Sequence, residues 1–214
     1  MTLLHLLDFS PHELERWIET LGEPRYRSRQ LYRWLYVHLA NEFDAMTNLP
    51  AGLRQRLAEQ AICSALTLVE ETVSADGLTR KRLFELPDGE RIETVLMLYE
   101  RRATVCVSTQ VGCAIGCPFC ATGQGGFRRN LSAGEIVEQV LCFARWLRQA
   151  GRDTDGLTRV TNVVLLGMGE PLANYDATWE AIERLHDPQG VNLGARRFTI
   201  STAGLVPGIL RLAE

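Results

Sequence analysis

Lysine is nearly missing from this chain: Lys81 stands alone among 23 basic residues, and the rest are arginine. That bias carries no functional message by itself. Neither sign of charge is in large excess, since 26 acidic residues leave a formal charge of −3. A general affinity for nucleic acid is therefore not written in the net charge, and any RNA contact must come from local patches. No apolar run approaches the roughly 20 residues that cross a bilayer. The opening Met1-Thr-Leu-Leu-His-Leu-Leu-Asp8 has neither the length nor the basic start of a signal peptide, so a cytoplasmic protein is expected. Internal repeats and low-complexity tracts are also absent. With 46% hydrophobic and 23% charged residues, the composition is that of a globular protein with one large or two small cores.

What is present falls into three stretches. Residues 1–64 read as a small helical unit. Ser10-Pro11-His12-Glu13 carries the capping residues of a helix that ends near Gly22, Leu31, Trp34, Leu35, His38 and Leu39 repeat at helical spacing, and a further helix enters through Pro50. Residues 65–98 read as a β-hairpin segment with turns at Asp76-Gly77 and Asp88-Gly89. From residue 99 to 214 strands and helices alternate: Thr104–Thr109, a helix from Ser132 to Ala150, Val160–Leu166, a helix from Asp176 to His186, Phe198–Ser201 and Ile209–Ala213. Such alternation predicts an α/β fold with parallel strands and right-handed crossovers. Three βα units are half of what a barrel would need, so the expectation is an incomplete domain.

Six cysteines in a cytoplasmic protein point to metal ligands, redox thiols or buried small hydrophobes rather than disulfides. Three of them, Cys113, Cys117 and Cys120 in Val111-Gly-Cys-Ala-Ile-Gly-Cys-Pro-Phe-Cys-Ala121, follow directly on a strand. Three thiolates can hold three corners of an iron–sulfur cube and leave the fourth iron open to a small molecule, whereas electron-transfer clusters use four. A zinc site would need a fourth ligand, and only Cys106 offers itself. Gly167-Met-Gly-Glu-Pro171 follows the second strand of the alternating region, and Ser201-Thr-Ala-Gly204 follows the third. Alone, each reads as a turn or a helix cap.

Together with Ile92-Glu-Thr-Val95, Arg102–Cys113 and Gly125-Gly-Phe-Arg-Arg-Asn-Leu131, these segments resemble the radical S-adenosylmethionine (SAM) adenine C2-methyltransferases over essentially the whole chain. The resemblance implies a partial (βα) radical SAM barrel, about three units of six, preceded by a helical accessory domain that binds RNA. It implies a [4Fe-4S] cluster on Cys113, Cys117 and Cys120, with SAM held by Gly169, Glu170 and Ser201. The implied substrates are an adenosine in the peptidyl-transferase centre of 23S rRNA and one beside the anticodon of certain tRNAs, with an external flavodoxin-type reductase as electron donor and no membrane or DNA partner. Adenine C2 lies between two ring nitrogens and is not a nucleophile, so the family uses a radical route. One SAM methylates a cysteine near the carboxyl terminus, and a radical made from a second SAM activates that methyl group for addition to the base. A second cysteine then releases the protein–RNA adduct.

Cys106 matches the releasing cysteine, and Glu93 matches the family's acid/base glutamate. Val95 and Met97 share Glu93's face under strict alternation, which predicts a partly apolar setting. The methyl-carrying cysteine has no counterpart here, because Cys63, in an apolar helix end, and Cys142, within a helix, are packing residues by position. This much sequence is therefore expected to be inactive by itself. For RNA, Arg25, Arg27, Arg29 and Arg33 with Tyr26, Tyr32 and Trp34 form one candidate patch, and Phe127, Arg128 and Arg129 a second. Two other readings stay open: the related C8-methylating enzymes, and a non-catalytic zinc-bearing RNA-binding module using Cys106, Cys113, Cys117 and Cys120.

Overall fold

In the computed structural model, residues 3–154 and 156–213 are described. Ser10 caps the first helix, α1 (Pro11–Thr20), through reciprocal bonds: the Glu13 amide donates to Ser10 Oγ at 3.3 Å, and the Ser10 amide to Glu13 Oε2 at 2.8 Å. α2 (Tyr26–Tyr36) and α3 (Ala51–Gln60) follow, and their apolar faces bury Leu31, Leu35, Leu53 and Leu57 against Leu14 and Ile18 of α1. A short parallel pair, β1 (Leu4–His5) with β2 (Ala61–Ile62), brings the two ends of this unit together. Cys63 lies just beyond β2 instead of in a helix end; it is buried, and burial pushes its thiol up to about 12.

Six strands then build one sheet. β3 (Thr67–Val73), β4 (Thr79–Glu85) and β5 (Arg91–Tyr99) form an antiparallel meander. Both Asp-Gly turns form, with Gly77 at φ +74° and Gly89 at φ +82°. β6 (Arg102–Val107) pairs antiparallel with β5, and β9 (Asn162–Leu165) and β10 (Phe198–Ile200) continue the sheet in parallel, giving the order β10-β9-β6-β5-β4-β3. The hairpin segment is thus continuous with the α/β sheet. Between β6 and β9 come β7 (Gln110–Gly112), α4 (Ala121–Gln124), β8 (Phe127–Asn130) and the long α5 (Ala133–Ala150). The second crossover is α6 (Tyr175–His186), and α7 (Val206–Arg211) follows β10.

The two faces of the sheet differ. On β5, Ile92, Thr94, Leu96 and Leu98 are buried in the core that α5 and α6 complete, whereas Glu93, Val95 and Met97 are only half-buried on the other face. Val95 sits opposite Cys106, and Cys106 beside Val164, so all three share that open face.

The amino-terminal unit docks onto α5 and α6. Gly134 lies so close to Asp8 that an added Cβ would stand 2.5 Å from Asp8 Oδ1 and 2.6 Å from Leu7 C. Buried Arg184 of α6 donates to the Leu7 and Asp8 carbonyls, and Tyr32 donates to Asp187 Oδ2 at 2.7 Å.

Candidate active site

The carboxyl ends of the three parallel strands carry all the predicted ligand loops. After β6, β7 and β8 pair antiparallel and pinch off residues 113–126, so the three cysteines ride on one loop with a hydrogen-bonded base. The Cys113 amide donates to Gly126 O at 3.1 Å. Gly112, at φ +73°, makes this possible: a Cβ there would stand 1.8 Å from Gly126 O. Gly112→Ala is therefore expected to open the base of the loop, seen as faster amide exchange at Cys113 and Leu131; unchanged protection would show that the base tolerates a side chain.

All three thiols are free and half-buried. Backbone N–H groups of Gly123 and Thr122 lower the Cys120 thiol, favouring the thiolate that a metal needs. Among the described residues, no three His, Cys, Asp or Glu side chains converge as ligands of a single ion. A zinc ion needs four donors around one point. A cube instead offers each thiolate its own iron, so its ligands ring a larger body. Cys106 stands apart on the sheet face, its thiol raised by burial, and the four-cysteine zinc reading loses its fourth member.

The loop after β9 is tied to its neighbours by two buried polar side chains. The Glu170 amide donates to Gln110 Oε1 at 2.8 Å, and Gln110 Nε2 donates to Asn130 Oδ1 at 2.8 Å. The Glu170 carboxylate accepts from the Leu172 amide at 2.9 Å and from the Ala203 amide at 2.7 Å, which joins the second ligand loop to the third. Glu170, the candidate ligand-facing carboxylate, is 3% exposed, and each of its oxygens accepts one of these two bonds, so it also ties the loops together. Gly169, at φ +102°, lies against Gln110, where a Cβ would come within 2.6 Å of Gln110 Cβ. Ser201 is half-buried and does not cap α7, whose cap is Leu205; its hydroxyl has no hydrogen-bond partner among the described residues.

Glu93 and Cys106 are brought together as diagonal neighbours on the open face, because Val95, two residues from Glu93, is the register partner of Cys106. Val95 and Met97 share Glu93's half-buried face as expected, but the carboxylate itself is met by a cation. Lys81, the lone lysine, reaches it from β4 with Nζ at 2.7 Å, and this hydrogen bond raises the lysine's own pKa. Of the RNA patches, Arg25 pairs with Glu19 at 2.5 Å, Arg27 bonds Gln30 and the Asn48 carbonyl, and Tyr32 is buried; Tyr26, Arg29 and Arg33 remain exposed. In the second patch, Arg129 is held by Asp88 and, bidentately, by Glu135, leaving Arg128 and Phe127 at the surface.

Sequence reasoning assigned no role to Gln110, Gln139 or Asn174. Gln139 accepts from Thr94 Oγ1 and the Ser108 amide at 2.8 Å each and donates to Ser108 O at 3.0 Å. Asn174 Nδ2 donates to the carbonyls of Thr109 and Leu131, both at 2.8 Å. These amides hold the strand ends from which the ligand loops leave. Their only sequence signal is a polar amide beside apolar residues.

A sheet backed by helices on one face, with a cysteine loop and two further loops at the carboxyl ends of its parallel strands, is the architecture expected of a radical SAM enzyme. A crystal structure of a radical SAM methyltransferase from Sphaerobacter thermophilus superposes with a TM-score of 0.92 at 52% identity, covering 99% of this chain and 60% of that one. Residues 4–63 match the ribosomal RNA large subunit methyltransferase N-terminal domain. The probable dual-specificity RNA methyltransferase RlmN of Chloroflexus aurantiacus is 56% identical over 209 residues, 98% of this chain and 55% of that protein. Its namesake in Roseiflexus castenholzii is 48% identical over 241 residues, 99% of this chain and 60% of that protein. Over nearly its whole length the chain is thus similar to radical SAM and dual-specificity RNA methyltransferases, and it spans little more than half the length of these relatives.

Proposed function

We propose that this chain forms the cofactor-binding half of an enzyme that methylates C2 of an adenosine in 23S rRNA and in tRNA. The observation that carries the reading is the tie between ligand loops: Glu170 joins the segment after β9 to the segment after β10, and Gln110 joins it to the base of the cysteine loop. Such ties position three loops around one site before anything binds. Cys113, Cys117 and Cys120 would hold a [4Fe-4S] cluster, and Gly169 and the free hydroxyl of Ser201 would meet the polar tail of SAM, with Glu170 holding their loops in place. A cluster held there would supply one-electron reducing chemistry toward SAM, with an external flavodoxin-type protein as the electron source.

On the open face, Cys106 Sγ would release the RNA adduct. Burial keeps this thiol protonated, so its reaction needs a nearby base. Glu93 is the neighbouring carboxylate, and Lys81 pairs with it at 2.7 Å. The methyl-carrying cysteine would come from the half of the relatives' length that this chain does not span. A cytoplasmic setting suits both the reduced thiols and the RNA substrates.

The test is anaerobic reconstitution with iron and sulfide, followed by SAM and a strong reductant. Matched iron and sulfide with formation of 5′-deoxyadenosine supports the reading. A colourless protein carrying stoichiometric zinc would refute it.

A further inference from the structure

A cleft of about 440 Å³ opens at the amino-terminal ends of the parallel strands, the end of the sheet opposite the cysteine loop. Arg101 in the turn before β6, Arg148 on α5, Arg159 before β9 and Arg197 before β10 reach it from four separate segments. No Asp, Glu, His or Cys lines it among the described residues. Many arginines elsewhere have a carboxylate within ion-pair distance, among them Arg25, Arg56, Arg80, Arg82, Arg91 and Arg129, and those without one, such as Arg16, Arg29, Arg33 and Arg128, are not gathered on a cleft of this kind. Arg101, Arg159 and Arg197 have no acidic partner among the described residues, and Arg148 makes one bond, to His38 O at 3.3 Å.

Four cations gathered on one cavity without a counter-charge repel one another, in a protein whose net charge is −3. An anion would relieve that repulsion. The backbone around the cleft is also unusual. Leu39 at φ +60° and Asn192 at φ +58° are the two left-handed non-glycine residues among those described, and both line this cleft. Conformations of that kind persist where the surroundings enforce them, and they cluster at binding sites.

We propose that this cleft binds successive phosphates of an RNA backbone at a distance from the candidate active site. Planar guanidinium forks suit phosphate oxygens, and four of them coming from four segments match a chain of phosphates better than one ion. The absence of acids, histidines and thiols makes this a holding site with no chemistry of its own. This assignment rests on the RNA reading given above. It adds a contact that would orient a long substrate from the far end of the sheet.

The test compares the chain with its Arg101→Gln/Arg159→Gln/Arg197→Gln variant in binding a single-stranded RNA oligonucleotide across a salt series. The three side chains are exposed, so the fold should be kept, as an unchanged thermal melt would verify. The variant should bind at least about tenfold more weakly, and its log–log salt slope should fall by about 2, at roughly 0.7 per lost phosphate contact on a single strand. Equal affinity and slope in the two proteins would overturn the proposal while leaving the RNA reading intact. Failure of the parent chain to bind RNA at all would strike at both the proposal and the RNA reading. Thermal stabilisation of the parent by AMP or inorganic phosphate, lost in the variant while RNA binding is unchanged, would overturn it in favour of a free phosphate ligand.

Discussion

Glu138→Ala is expected to lower the unfolding free energy by about 3 to 5 kcal/mol, the cost of stranding a buried charge whose partner has been removed. Glu138 lies on α5 with its side chain 0% exposed, and its carboxylate serves two segments at once. It accepts from Ser64 Oγ, from the Ala65 amide at 2.9 Å and from the Leu66 amide at 3.3 Å, all just after β2. His5 Nε2 of β1 meets the same carboxylate at 3.2 Å, and His5 Nδ1 stands 3.6 Å from Asp8 Oδ2. The imidazole makes these contacts as an ion pair and not through well-aligned hydrogen bonds. The next residue along α5, Gln139, grips Ser108 and Thr94. One turn of helix therefore locks the amino-terminal unit to the strand that launches the cysteine loop. For a chain of this size the loss corresponds to a drop in melting temperature of roughly 6 to 20 °C. A loss below about 1 kcal/mol would mean that water replaces the missing carboxylate and that the junction is not dry.

The same junction predicts a pH profile with two declining limbs. Burial opposes charge on His5, but the carboxylates of Asp8 and Glu138 outweigh it and raise the imidazole from 6.5 to about 9. A raised folded-state pKa means that the native protein holds the proton more tightly than the unfolded chain. Its stabilisation is complete below pH 6.5 and is lost as the pH climbs toward 9. Burial also opposes charge on Glu138, yet His5, Ser64 and the Ala65 amide bring it below the ordinary carboxylate value. That contribution is present above the usual carboxylate range and disappears as acid protonates the folded state. Denaturant midpoints should therefore be highest between the carboxylate range and pH 6.5. His5→Phe should flatten the alkaline limb, and an unchanged limb in that variant would assign it to another group.

The elements legible in the sequence were those fixed by local chemistry. Ser10 and Ser132 cap helices with Glu13 and Glu135, both Asp-Gly turns form, and the buried strands show as apolar runs. The three cysteines and the positions of Gly169 and Ser201 at strand ends were equally local. What could not be read was pairing across the fold. Glu170 finds the Ala203 amide because β10 lies beside β9, with Ile200 opposite Leu165, and no spacing rule contains that contact. Lys81 reaches Glu93 because β4 registers Leu83 with Glu93, which sets the lysine two residues along on the same face. Arg129 looks like a free cation beside the cysteine loop until Asp88 arrives from the β4–β5 turn. In each case a charge that reads as exposed and functional is engaged by a residue distant in sequence. The neutralised arginines of the predicted RNA patches follow from the same cause.

Replacing any one of Cys113, Cys117 or Cys120 by alanine is expected to abolish the brown iron–sulfur absorption after reconstitution, while Cys106→Ala keeps it. Losing an outer partner of a metal ligand typically weakens binding by about 10- to 100-fold, so losing a ligand itself should exceed that. The contrast follows from placement. The three loop cysteines share one excursion whose base is closed by β7 and β8, whereas Cys106 lies within β6, with Val95 on one side and Val164 on the other. Iron and sulfide measured on the four variants decide the matter without any assay of methylation. Loss of iron in Cys106→Ala would move that residue into the ligand set and remove it from the open face as a reactive thiol. Retention of full iron in one of the loop variants would break the assignment of three corners to three thiols, and with it the open fourth corner that SAM is proposed to fill.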